Sequence, residues 1–145
     1  MIIVSGCLAG RPCRYDGTAK PNEKIMRMVR EGAALPVCAE ELGGLATPRK
    51  PCEIIGGDGS DVLDGKACVQ TADGADKTAE FIAGANAVLA IAKECGAKSA
   101  VLKAKSPSCG CGKIYNGCFC GELRPGYGVT AALLERNGIH VQTEE

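Results

Sequence analysis

Short apolar runs alternate with longer amphipathic or alanine-rich segments along the chain. The short runs are typical of buried strands, and they predict strands at residues 2–4, 34–38, 100–102 and 139–141. Apolar positions at helical spacing, each segment closed by a glycine, predict helices over residues 22–30, 78–95 and 130–137. Residues 54–70, with two glycine clusters and alternating Val62, Leu63 and Val69, predict a β-hairpin excursion. Strands that alternate with helices indicate the α/β class. We therefore expect one domain over residues 1–145, with a three-layer Rossmann-like fold and a mostly parallel sheet.

Length and charge exclude several functional classes. The 145 residues fit one ordinary domain, and 17 basic side chains balance 17 acidic ones, so no basic field is available to hold nucleic acid. Aromatic residues make up 3% of the chain, too few for a base-stacking platform. The most apolar stretch, residues 81–92, is interrupted by Asn86 and followed by Lys93, so we expect no membrane association.

Ten cysteines are the unusual feature of the composition. They suit either a secreted disulfide scaffold or an intracellular protein that uses thiolates for metal binding or chemistry. The N-terminal residues lack the charged region, long apolar stretch and cleavage site of a signal peptide, so we expect a cytoplasmic protein with reduced thiols.

Three of the cysteines follow predicted strands. Cys7, Cys38 and Cys109 lie on the loops after the strands at residues 2–4, 34–38 and 100–102. The carboxyl ends of parallel strands meet at one crevice, the usual ligand site of an α/β sheet, so the three thiols are expected to converge there. Three thiolates suit an iron–sulfur cluster or zinc. A cubane cluster with three protein ligands leaves one iron open to act as a Lewis acid.

Polar residues near these cysteines are candidate catalytic groups. Glu40, with Glu41 beside it, follows Cys38, and Ser106 precedes Cys109; a carboxylate can activate water and a hydroxyl can relay a proton. Asp16, in the turn beyond Cys7, is a further candidate. Each also has a purely structural interpretation, as a turn or loop residue. The single histidine, His140, lies on the terminal strand and is expected to be structural or solvent-facing.

The remaining cysteines allow other interpretations. Cys68 and Cys95 are expected to be an ordinary strand residue and a small apolar residue at a helix end. Two C-x-C pairs, 109–111 and 118–120, with a hairpin turn between them, offer an alternative zinc site of their own.

Several segments resemble the DUF523 family, which includes the thiouracil desulfidases. The matching segments, in the family's order, are VSGCLAG (4–10), CRYDG (13–17), PVCAEELGGLATPR (36–49), KSPSCG (105–110), IYNG (114–117) and GYGVTA (126–131). They extend over nearly the whole chain.

The resemblance implies a [4Fe–4S] cluster held by Cys7, Cys38 and Cys109, with the fourth iron binding the sulfur of a thiocarbonyl substrate. Glu40 and Ser106 would assist the reaction, with Asp16 as a further polar contact. The expected activity is non-redox hydrolytic desulfidation of a thiolated small molecule such as a thiouracil, by a monomer or homodimer.

The chain departs from the family pattern in ways that keep an alternative open. Ala39 replaces the usual proline, Cys52 replaces an expected alanine, and there are extra thiols at residues 111, 118 and 120. A fourth thiolate ligand, with Cys111 the nearest candidate, would close the open iron. The alternative is a non-catalytic metal-binding module, holding zinc or a fully ligated cluster, that acts as a sensor or interacts with a partner.

Overall fold

Eight strands and five helices form the regular structure of residues 1–145, as described by a computed structural model. The strands are β1 (Ile2–Ser5), β2 (Ala34–Val37), β3 (Cys52–Ile55), β4 (Cys68–Thr71), β5 (Ser99–Leu102), β6 (Lys113–Tyr115), β7 (Leu123–Pro125) and β8 (His140–Thr143). The helices are α1 (Glu23–Arg30), α2 (Ala39–Leu42), α3 (Gly59–Leu63), α4 (Thr78–Glu94) and α5 (Val129–Arg136). None of these helices combines the length and the apolar content needed to cross a membrane.

The central sheet has four parallel strands in the order β2-β1-β5-β8. Ile3 of β1 lies opposite Leu35 of β2 on one side and Ala100 of β5 on the other. Strand β2 lies on one side of β1, whereas β5 and then β8 lie on the other side. The space beyond the carboxyl ends of β1 and β5 is therefore the topological switch point of the sheet, where α/β proteins place their ligands.

Helices cover both faces of this sheet, which confirms the expected α/β class. Adjacent residues of β1 point to opposite faces, as the pleat of a strand requires. Ile3 packs in a core with Val88 of α4 and Leu134 of α5, whereas Val4 packs on the other side with Ile25 of α1. The helix predicted over residues 22–30 forms as α1, and the Asn22 side chain caps it by accepting a hydrogen bond from the Ile25 amide at 3.1 Å.

The excursion over residues 54–70 is a hairpin with a helix in it. Strands β3 and β4 pair antiparallel, which confirms the hairpin, but Val62 and Leu63 lie in α3 and not in a strand. Asp58 and Asp61 form a reciprocal capping box that starts α3, so local side-chain capping overrides the alternating pattern. A second small antiparallel hairpin, β6–β7, follows the third cysteine segment.

Two glycines, Gly43 and Gly84, allow the backbones of α2 and α4 to pack closely together. A Cβ atom at Gly43 would lie 2.0 Å from the Glu80 carbonyl oxygen, and one at Gly84 would lie 2.0 Å from the Ala39 carbonyl oxygen. The backbones of the two helices therefore approach more closely than any side chain would allow. This contact fixes α2, which carries Glu40 and begins directly after Cys38.

Candidate active site

The three strand-end cysteines line one cavity at the switch point of the sheet. Cys7 lies in a single 3₁₀ turn (Gly6–Ala9) after β1, Cys38 is the N-cap residue of α2 after β2, and Cys109 lies in the loop after β5. The cavity has a volume of about 490 Å³, and Glu40 and Ser106 are also in its wall. This volume is within the usual range for small-molecule sites.

Ser5 connects the two strands that flank the switch point. Its side chain is buried, with 4% of the residue exposed. The Ser5 Oγ donates a hydrogen bond to the Cys109 Sγ at 3.6 Å and accepts one from the Lys103 amide at 2.9 Å. The end of β1 therefore holds the loop after β5 at two points, its first residue, Lys103, and Cys109.

The β5 loop has a fixed and strained backbone. Lys105 adopts a φ of 72°, in the left-handed region that non-glycine residues seldom occupy. The Ser106 Oγ accepts a hydrogen bond from the Cys109 amide at 2.8 Å, and buried Ser108 contacts Thr130 of α5 through their hydroxyls at 3.0 Å. The Ser106 hydroxyl thus accepts from the backbone and retains its own proton for donation.

The thiols have distinct electrostatic environments. A hydrogen bond from the Cys13 thiol, together with the Glu41 amide, lowers the pKa of Cys38 to about 7. Burial raises the pKa of Cys7 to about 11 and that of Cys109 to about 12. The interaction with Cys38 and burial raise the pKa of Cys13, and the Cys38 Sγ lies 3.8 Å from the Cys13 carbonyl oxygen.

The cavity wall carries more positive than negative side chains, although the whole chain is neutral. The cations are Arg14, Lys20, Arg49, Lys50, Lys103 and Lys105, and the carboxylates are Glu40, Glu53 and Glu145. Such a wall stabilises a bound anionic group.

Glu40 is held in the cavity wall by Arg49. The Arg49 Nη2 forms an ion pair with the Glu40 Oε2 and donates a hydrogen bond to the Cys13 carbonyl oxygen at 2.9 Å. The Arg49 side chain is 8% exposed, so the pair is shielded from solvent. The neighbouring carboxylate, Glu41, is outside the wall: it accepts a hydrogen bond from the Thr47 hydroxyl at 2.6 Å and lies 3.7 Å from Arg11.

Asp16 is not part of this group. Its carboxylate accepts hydrogen bonds from the Thr18 amide at 3.0 Å and the Thr18 hydroxyl at 2.6 Å, and the side chain is exposed and outside the cavity wall. The structure therefore supports the turn interpretation of Asp16.

Cys111 is not near the cavity, so the expectation that it is the nearest fourth ligand is wrong. Its Sγ donates to the Val141 carbonyl oxygen of β8 at 3.3 Å. Two other cysteines, Cys13 and Cys52, line the cavity with the three strand-end cysteines. The strand pattern does not identify Cys13, because this residue lies outside the regular elements; its place in the family-like segment CRYDG (13–17) is the sequence signal for it.

The zinc site proposed for the two C-x-C pairs does not form. Cys118 and Cys120 are exposed and joined by a disulfide, whereas Cys109 lines the cavity. His140 is 72% exposed at its side chain, which confirms the expectation that it faces solvent. Cys68 lies in β4 and Cys95 ends α4, also as expected.

The spacing of the three strand-end thiols does not fit a single tetrahedral zinc ion. A tetrahedral zinc ion brings two thiolate ligands to about 3.8 Å from each other, given zinc–sulfur bonds of about 2.3 Å. The sulfur atoms of Cys7, Cys38 and Cys109 do not all lie within 4.8 Å of one another. A polynuclear cluster spaces its thiolates more widely, and thiolates are its usual ligands.

Comparison with known proteins agrees with this chemistry. A curated Bacillus subtilis (strain 168) protein, the uncharacterised YbbK, is 52% identical over 144 residues, covering 99% of this chain and 95% of its own length. A solved structure of the [4Fe–4S]-dependent thiouracil desulfidase TudS (DUF523Vcz) is 46% identical, with a TM-score of 0.88 over 99% of this chain and 89% of that chain. The model of the 2-thiouracil desulfurase family matches residues 2–145. The chain therefore belongs to the 2-thiouracil desulfurase family and is a homologue of an iron–sulfur-dependent desulfidase.

Proposed function

We propose that this protein hydrolyses the C=S bond of a thiolated nucleobase such as 2-thiouracil, using a [4Fe–4S] cluster held by Cys7, Cys38 and Cys109. One observation carries the proposal: the three strand-end thiols line the same cavity as the Glu40 carboxylate and the Ser106 hydroxyl. The reaction exchanges one sulfur for one oxygen. Water and the thiocarbonyl compound give the oxo compound and hydrogen sulfide, and no net electron transfer is needed.

A cluster held by Cys7, Cys38 and Cys109 would supply a soft Lewis acid that suits the sulfur of a thiocarbonyl group. Glu40 accepts a proton from the attacking water, and its ion pair with Arg49 orients the carboxylate for this role. The Arg49 contact with the Cys13 carbonyl ties Glu40 to the segment that also contacts Cys38. The base is therefore positioned relative to a proposed cluster ligand.

Ser106 donates the proton that the substrate ring requires as the C=S bond is broken. Because its Oγ already accepts the Cys109 amide hydrogen, its O–H is left to donate into the cavity, where a ring nitrogen next to the thiocarbonyl carbon requires a proton. Tyr15 and Tyr115 also line the cavity, and aromatic side chains of this kind pack well against a planar ring. The cavity thus suits a small planar thiocarbonyl compound.

Anaerobic reconstitution with iron and sulfide, followed by metal analysis and an assay with 2-thiouracil, tests the proposal. We expect about four irons per chain and formation of uracil. Cys7→Ala, Cys38→Ala and Cys109→Ala should each lose the iron, whereas the control Cys68→Ala should keep it. Failure to hold iron in the unsubstituted protein would overturn the proposal.

A second candidate function, a closed and non-catalytic metal module, has one observation in its favour. Cys13 and Cys52 also line the cavity and either could supply a fourth thiolate. Iron that is lost from Cys13→Ala or Cys52→Ala as completely as from Cys109→Ala would favour this module. Eight cysteines lie outside the disulfide, and the expected cytoplasmic location stays a prediction. Whether the protein is a monomer or a homodimer stays a prediction.

A further inference from the structure

The sulfur pair Cys118–Cys120 is separate from the cavity and unlike the other thiols. These two cysteines are the exposed ones, whereas the other eight are buried or partly buried. Their Cα atoms lie 5.3 Å apart, within the range of ordinary disulfides. Exposed disulfides are the class that takes part in exchange reactions, since an attacking thiolate or hydrosulfide can reach them.

A buried carboxylate of the cavity wall anchors the loop that carries the pair. The Glu53 Oε1 accepts hydrogen bonds from the Gly117 amide at 2.9 Å and the Phe119 amide at 3.2 Å, and only 9% of Glu53 is exposed. Phe119, between the two cysteines, adopts a φ of 57° in the left-handed region. Tyr115, directly before the loop, also lines the cavity. The loop that presents the two sulfurs is therefore built onto the wall of the site where sulfide is released.

Two polar side chains complete the surroundings of the pair. The ligand atoms of Cys118, Cys120 and Glu122 all lie within 4.8 Å of one another. Asn116 accepts a hydrogen bond from the Cys118 amide at 3.0 Å and donates one to the Glu122 carboxylate at 3.2 Å. Glu122 is thus held where it can accept a proton from a reagent that approaches either sulfur.

We propose that the Cys118–Cys120 disulfide is a sulfide-accepting site that takes up hydrosulfide as a cysteine persulfide. The hydrosulfide sulfur attacks one cysteine sulfur and the Cys118–Cys120 bond breaks. One cysteine becomes a persulfide and the other a thiolate, and Glu122 takes the proton of hydrogen sulfide. The disulfide is the oxidant, because it accepts the two electrons that the sulfide sulfur gives up.

The step is reversible without another reagent. Attack of the free thiolate on the cysteine-bound sulfur of the persulfide restores the disulfide and releases hydrosulfide, so the pair acts as a reversible store of one sulfur atom. The source of the sulfide rests on the proposed function. If the cavity releases hydrogen sulfide, it does so next to this pair.

Direct addition of hydrosulfide tests the inference without requiring turnover. The purified protein, with its disulfide intact and before any reconstitution with iron and sulfide, is treated anaerobically with sodium hydrosulfide, alkylated and analysed by peptide mass spectrometry. We expect the peptide spanning residues 118–120 to gain one sulfur atom and one free thiol, and the gain to disappear in the Cys118→Ser/Cys120→Ser double variant. The control Cys68→Ser should retain it.

No sulfur gain in this peptide, or an equal total gain in the double variant, would overturn the inference. The outcomes also separate the two proposals. Uracil formation without persulfide at this pair leaves the desulfidase function intact and refutes the store. Persulfide from added hydrosulfide in a protein that forms no uracil refutes the desulfidase function alone.

Discussion

Ser5 and Cys109 are 104 positions apart in the chain, yet the Ser5 hydroxyl donates a hydrogen bond to the Cys109 sulfur at 3.6 Å. This bond joins the end of β1 to the loop after β5 across the switch point of the sheet. It also orients a buried sulfur that we propose to be a cluster ligand. The same hydroxyl accepts the Lys103 amide hydrogen, so one small side chain satisfies both partners.

Ser5→Ala should therefore weaken both the fold and the proposed cluster site. Loss of the hydroxyl leaves the Lys103 amide without its partner, and a buried unsatisfied donor costs about 1–3 kcal/mol of unfolding free energy. Denaturant unfolding of the metal-free protein measures this loss, and removal of iron by a chelator should be faster in the reconstituted variant. Ser99→Ala, at the start of β5, is the matched control. Equal stability and equal iron retention in the two variants would contradict the role given to Ser5.

Replacement of Arg49 by lysine should reduce turnover although the charge is kept. Lysine cannot reproduce the guanidinium contacts with both Glu40 and the Cys13 carbonyl. Loss of such an orienting partner typically lowers activity by about 10–100-fold, and Glu40→Gln, which removes the base, should lower it by about 10²–10⁴-fold.

Steady-state kinetics with 2-thiouracil measures both effects. We expect kcat to fall more than KM changes, because the carboxylate acts on the attacking water. Arg30→Lys, at the exposed end of α1, serves as the control. A full kcat in Arg49→Lys would show that the ion pair does not position the base.

The Cys38 thiol should be the first cavity thiol to react as pH rises in the reduced, metal-free protein. Its pKa of about 7 is lower than those of Cys7 and Cys109, about 11 and 12. The rate of alkylation at Cys38, followed by mass spectrometry, should therefore rise with a midpoint near pH 7. In Cys13→Ala the midpoint should move towards the usual value of 9.0, because the donor of the hydrogen bond is removed.

The same shift gives a stability prediction of definite sign. A pKa that is lower in the folded than in the unfolded state stabilises the fold above the unfolded value, and this contribution is lost as pH falls through about 7. Between pH values of about 7 and 9.0, the unfolding free energy of the metal-free protein should depend less on pH in Cys13→Ala than in the unsubstituted protein. An unchanged alkylation midpoint in that variant would refute the hydrogen bond as the cause.

Gly84→Ala should destabilise the protein although alanine is the better helix former. Helix propensity alone favours alanine by about 1 kcal/mol. The added Cβ, however, would lie 2.0 Å from the Ala39 carbonyl oxygen and would force α2 away from α4. Overpacking costs about 1–3 kcal/mol in cores that can adjust, and here the opposing atom is backbone.

Thermal unfolding compares this variant with Asn86→Ala on the exposed side of the same helix. We expect a lower Tm for Gly84→Ala and an equal or higher Tm for Asn86→Ala. A rise in Tm for both would mean that α2 is free to move, and the placement of Glu40 by this contact would be wrong.

The strand-end placement of Cys7, Cys38 and Cys109 was predictable because it depends on local pattern and on the general geometry of parallel sheets. The contributions of Cys13 and Arg49 were not, because both side chains reach the cavity from irregular segments whose paths are set by tertiary contacts. Asp16 shows the opposite case. Its position in a motif suggested chemistry, whereas its carboxylate closes a local turn with Thr18.

Short-range capping explains the remaining difference between pattern and structure. Val62 and Leu63 suggested strand alternation, but the Asp58–Asp61 capping box starts a helix there. The alternation was too short to outweigh two side-chain hydrogen bonds at a helix start. Packing of this region on α4 through Val62 and Phe81 then completes the core beneath the hairpin.

Conversion of 2-thiouracil in water labelled with the heavy isotope of oxygen, without dissolved oxygen gas or any reductant, tests the central claim most directly. Hydrolysis at the cavity predicts uracil that carries one heavy oxygen atom, with one hydrogen sulfide released or stored for each uracil formed. The Glu40→Gln variant, still holding its iron, should give almost none. Loaded protein that forms no uracil, or forms uracil without the heavy oxygen, would contradict the account.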